Sequence, residues 1–141
     1  MNKPFDCNRV ILCHFDTYSA ALLFARFGDS VLLASPLQAD ASVAAPPAEC
    51  GEEYAPARML DALERDYGFD VAQWTCVEGF QEWRVHENAL TRIHLLRYTG
   101  FEAPHAELEP LGAAFKPISL MRGTPMVELN LLRQAFNLFL G

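Results

Sequence analysis

The sequence predicts one α+β domain spanning residues 1–141, a mixed β-sheet with about four helices around a shared core. Three observations predict it. Val10 to Cys13 is an unbroken apolar run, residues 56–67 carry a helical apolar stripe, and residues 71–99 hold three stretches rich in Trp, Val, Ile, Thr and Tyr. A chain of 141 residues is one domain long, and 51% hydrophobic residues with ten Phe, four Tyr and two Trp exclude global disorder.

The run within Arg9 to Phe15 lacks polar alternation, as a strand covered on both faces does, so it reads as central. Asp16 or Thr17 can then cap a helix over Tyr18 to Phe27, with Gly28 at its end, and Ser30 to Ala34 reads as a second strand. Together these predict a βαβ start, with a connection short for that unit.

Between Ser35 and Pro56 the composition turns to Pro, Ala, Ser and Glu, and residues 35–56 read as a mobile acidic loop or lid without regular structure. Eight acids against two arginines between Asp40 and Asp70 carry six of the seven net negative charges. Pro56 suits the first turn of a helix reaching Tyr67, with Met59, Leu60, Leu63 and Tyr67 on one stripe and Gly68 as terminator. Val71 to Val77, Glu82 to His86 and Thr91 to Thr99 then predict a three-stranded antiparallel meander.

Pro104 starts a short helix that ends near Pro110 to Gly112. Phe115 to Leu120 reads as an edge strand, because Pro117 cannot donate within a central ladder. Thr124-Pro125 marks the cap and first turn of a helix reaching Leu140.

Charge and termini narrow the function classes. A net charge of −7 argues against nucleic acid as a partner, since phosphate binding relies on clustered Lys and Arg. No apolar stretch has the ~7–15 residues of a secretory core or the ~18–20 of a bilayer span, which predicts a cytoplasmic protein without a membrane partner. Cys7, Cys13, Cys50 and Cys76 have neither zinc nor redox spacing and read as reduced thiols. No motif implies a cofactor.

Four places could hold chemistry. Cys13, His14 and Asp16 stand where the first strand ends, a position at which α/β units bind ligands; Asp16 is equally explained as a cap and Cys13 as core. His86 and His94 could share a metal only if an odd loop or bulge put them on one face of their hairpin. Arg84 and Arg92, with Arg97 and the neighbouring aromatics, could fork an anion, although pairing with Glu82 and Glu87 accounts for them too.

The last helix supplies the fourth. Its polar residues Asn130, Arg133, Gln134 and Asn137 fall within roughly 100° of arc, leaving roughly 220° apolar, more than docking on one sheet uses. Leu131, Leu138 and Phe139 are therefore interface candidates in a homodimer, and Glu128 reads as a first-turn charge or a pocket acid. A non-catalytic binding or assembly protein is the leading expectation. The alternative is a small-molecule enzyme or binder, with its pocket at Cys13–Asp16 beneath the 35–56 lid.

Overall fold

A computed structural model describes residues 4–140. Seven strands form one mixed sheet: β1 (Asn8–Asp16), β2 (Ala21–Phe27), β3 (Ser42–Ala44), β4 (Trp74–Cys76), β5 (Glu82–His86), β6 (Ala89–Tyr98) and β7 (Ala113–Pro117). Three α-helices accompany them: α1 (Pro56–Tyr67), α2 (His105–Leu108) and α3 (Met126–Leu140). The α+β class stands, with three helices rather than about four.

The missing helix is the expected one at Tyr18–Phe27. Those residues form a turn and β2, which returns antiparallel along β1 with Asp16 opposite Ala21 and Cys13 opposite Phe24. A short apolar run fits a buried strand as well as a helix, and here pairing with β1 decides. Both punctuating residues keep their chemistry in a different turn. Asp16 accepts from the Tyr18 N–H at 3.2 Å and the Ser19 hydroxyl at 2.7 Å, closing the hairpin rather than capping a helix. Gly28, at φ 65°, turns the chain back from Phe27 to Ser30 instead of ending a helix.

The βαβ start is therefore overturned. Ser30 to Ala34 makes a bridge between Leu33 and Val10 rather than a strand, and the parallel neighbour of β1 is β6, with Asn8 beside Arg92 and His14 beside Tyr98. The sheet runs β3-β5-β6-β1-β2-β7, with β4 also on β6. The meander is corrected as well. β4 pairs with Leu96–Tyr98 and β5 with Ala89–Ile93, while β1 holds the opposite edge of β6. So β4 and β5 are one strand interrupted at residues 77–81, not two neighbours.

β1 is central and buried on both faces, as its apolar run requires. Ile11 and Cys13 join Phe24, Ile93 and Leu95 beneath Leu131, Leu132 and Ala135 of α3. On the other face Val10, Leu12 and Leu96 pack with Met59 and Leu63 of α1 and with Leu108. α1 follows its sequence signals, with Pro56 in its first turn and Gly68 left-handed at its end. β7 lies on the sheet edge with Pro117 as its last residue, where the absent N–H costs no ladder bond. Thr124 does not cap α3, since its buried hydroxyl has no hydrogen-bond partner among the described residues.

The 35–56 segment carries more structure than its composition suggests. β3 extends the sheet beside β5, and Glu52–Tyr54 forms a 3-10 turn. His86 Nδ1 lies 2.9 Å from Asp40 and Arg92 donates to the Tyr54 carbonyl at 2.9 Å, so the segment is tied to the sheet at both ends.

Candidate functional site

Parallel pairing of β1 and β6 brings two chain segments together at the carboxyl end of β1. β1 delivers His14 and Asp16, the hairpin turn delivers Tyr18, and the chain leaving β6 passes over them as Phe101 to Ala103 before His105 opens α2. Leu23 and Phe115 form the floor, enclosing a cleft of about 400 Å³. At its rim the exposed rings of Tyr18 and Phe101 meet edge to face, 5.4 Å apart.

His14 is the buried polar group of this cleft. Its ring lies 5.7 Å from that of Tyr98 and 5.9 Å from that of Phe115, and Nδ1 is 3.3 Å from the Tyr98 carbonyl oxygen. A carbonyl only accepts, so this contact is made by an Nδ1–H donor, and in that tautomer Nε2 is the ring's acceptor. Asp16 stays in water, and the Ser19 hydroxyl, followed by the backbone N–H groups of the turn, holds its carboxyl below the usual range. The site thus combines aromatic and aliphatic walls, one buried imidazole and one carboxylate at the mouth.

The other sequence candidates disperse. Cys13 faces α3 on the opposite side of the sheet, and burial pushes its thiol up to about 12, against a smaller pull from Arg97. Such a thiol is core, not nucleophile. Arg84 pairs across to Thr91 and Trp83 to Arg92, which places the two arginines on opposite faces, so no single anion site uses both. Arg92 instead lies over the Trp83 ring at 5.5 Å.

His86 and His94 also part. Their hairpin turns through two residues, Glu87 and Asn88, setting His86 opposite Ala89 and His94 on the other face beside Val10. Among the described residues no group of three His, Cys, Asp or Glu side chains is placed to hold a metal ion.

Glu128 is fully buried away from the cleft, accepting from the Val31 N–H at 2.7 Å and the Ser30 hydroxyl at 2.9 Å. Leu131, expected at an interface, is wholly enclosed by its own chain, and Phe139 is half-buried with the Arg97 guanidinium 5.5 Å from its ring. Leu138, at 44% exposure, is the interface candidate that reaches the surface.

Sequence reasoning missed Phe101, His105 and Phe115. The signal existed in principle: once β6 is set parallel to β1, the residues following Thr99 must emerge beside Asp16. The 35–56 segment does not line this cleft; Ala39, Ala41 and Val43 line a groove on the other face instead. Among the described residues no helix is long and apolar enough to cross a membrane. Compared with known proteins, the chain matches no protein-family model and no curated protein.

Proposed function

We propose that the protein binds a small, flat, largely apolar ligand at the carboxyl end of β1, the ligand donating an N–H or O–H to His14. The observation that carries this reading is the buried His14 imidazole, set between aromatic walls with Nδ1 3.3 Å from the Tyr98 carbonyl oxygen. Ligand pockets commonly occupy about 300–1,000 Å³ and combine apolar walls with few directed polar groups, and this cleft of about 400 Å³ has that composition. Tyr18 and Phe101, 80% and 64% exposed, would then lose their open surface to the ligand.

Self-association through α3 draws less support from the packing. Leu131, Leu132 and Ala135 are taken up by the chain's own sheet, and among the described side chains of the helix only Leu138 and Met126 are exposed large apolar residues.

Titration with indole and benzimidazole, followed by backbone and imidazole NMR shifts, tests the ligand reading. Shifts should cluster on His14, Tyr18, Phe101, His105 and Phe115, and His14→Phe, which keeps a ring but removes the acceptor, should weaken binding about tenfold. Shifts scattered over the surface, or equal affinity in His14→Phe, would refute it.

A further inference from the structure

On the opposite face of the sheet, the polar stripe of α3 borders a second concavity. Asn130, Arg133, Gln134 and Asn137 form one wall of a groove of about 810 Å³, and Arg84 and Glu82 of β5 form the other. Arg84 stands out because its side chain is only 4% exposed. Its Nη1 donates to the Glu82 carboxylate at 3.2 Å and to the Trp83 carbonyl at 2.8 Å. Among the described residues its Nε and Nη2 groups have no hydrogen bond to a protein atom, and neither is among the side-chain atoms sealed from solvent without a partner, so this edge is open to the groove.

A buried guanidinium with one satisfied edge and one free edge is a directed recognition element. The Nε and Nη2 N–H bonds run nearly parallel and match the two oxygens of a carboxylate, and desolvation strengthens such a fork. Among the lining residues Arg84 and Arg133 outweigh Glu82 by one positive charge, in a chain whose net charge is −7. The neighbouring Glu82 disfavours a dianion, and the three amide side chains both donate and accept, which suits neutral hydroxyl or carbonyl groups.

We propose that this groove binds a small organic monocarboxylate bearing hydroxyl or amide groups, its carboxylate held by the free edge of Arg84 and its polar groups by Arg133, Asn130, Gln134 and Asn137. The site is independent of the His14 cleft, from which it is separated by the sheet.

Calorimetric titration of the whole chain with gluconate, glycerate and inorganic phosphate at low ionic strength tests it. Gluconate or glycerate should bind saturably at one site and more tightly than phosphate. Arg84→Gln should weaken binding about tenfold or more. Because Arg84 is buried, Gln134→Glu on the exposed face of α3 gives a second readout, repelling the carboxylate without disturbing the core. No saturable binding of either acid, tighter binding of phosphate, or unchanged affinity in Gln134→Glu would each overturn the proposal.

Discussion

The Glu128 carboxylate accepts the Val31 backbone N–H at 2.7 Å, joining the first turn of α3 to the chain that leaves β2. The Ser30 hydroxyl completes the contact at 2.9 Å. Glu128 is fully buried, and burial raises its carboxyl above the ordinary range despite those two hydrogen bonds. Folding therefore favours the protonated group. Its contribution is fully present below the unfolded value and is lost as pH rises through the folded one. Glu128→Gln keeps an acceptor for Val31 without the charge and should match or exceed the native stability at pH 7, with the gain shrinking toward pH 4. Glu128→Ala orphans a buried N–H and should cost about 1–3 kcal/mol. Urea midpoints of both variants at the two pH values check this, and equal losses would show that Glu128 contributes only bulk.

His94 responds to pH in the opposite sense. Asn8 donates through Nδ2 to the carbonyls of Pro4 and Glu53, so its Oδ1 is the acceptor for His94 Nε2, 2.8 Å away. Burial, with Arg92 adding to it, pushes the His94 imidazole down to about 3 from an ordinary 6.5. Between those values the unfolded chain binds a proton that the folded chain refuses, so stability is intact above pH 6.5 and declines as pH falls through this window. The loss should be on the order of a few kcal/mol. His94→Gln should flatten the dependence of the denaturation midpoint on pH in this range; a slope equal to the native one would sink the assignment.

Thiol chemistry should follow depth. Cys13 is buried, with its thiol pushed up to about 12, while Cys50 is exposed. Iodoacetamide at pH 8 should label Cys50 in the folded protein and reach Cys13 only after denaturation, as read by peptide mass spectrometry. Cys7 and Cys76, half-buried and with raised thiols, should react slowly. Native-state labelling of Cys13 at the rate of Cys50 would reopen its place as a nucleophile.

What the sequence makes legible here is local. Pro56 and Gly68 bracket α1, the apolar run of β1 marks a central strand, and Pro117 marks an edge. Pairing partners were not legible. Asp16 followed by an apolar run and then Gly28 describes a capped helix and a closed hairpin equally well, because the same carboxylate can accept from either turn and the same glycine can reverse either element. That ambiguity propagated. If residues 18–27 are a helix, nothing in the sequence sets β6 beside β1, so Phe101 and His105 stand apart from His14 and residues 35–56 are left as the only cover for the strand end. The polar stripe on α3 was visible from its period, but its partner wall at Arg84 depended on sheet order.

The hairpin between β5 and β6 offers a test of backbone geometry. Glu87 and Asn88, its two turn residues, both adopt positive φ, at 49° and 67°. Two-residue hairpins of this hand favour Asn-Gly, since glycine enters the left-handed region without steric cost and asparagine tolerates it, whereas a long side chain such as Glu87 does not. Glu87 offers little in return. Its carboxylate is 85% exposed and 3.7 Å from His86 Nε2, a contact that water screens. The double substitution Glu87→Asn, Asn88→Gly should therefore raise stability by about 0.5–1 kcal/mol, visible as a higher thermal midpoint. The register set by the turn keeps His86 and His94 on opposite faces, so the variant should bind zinc no better than the native chain. A lowered midpoint would mean that Glu87 makes contacts in solution worth more than its strained backbone costs.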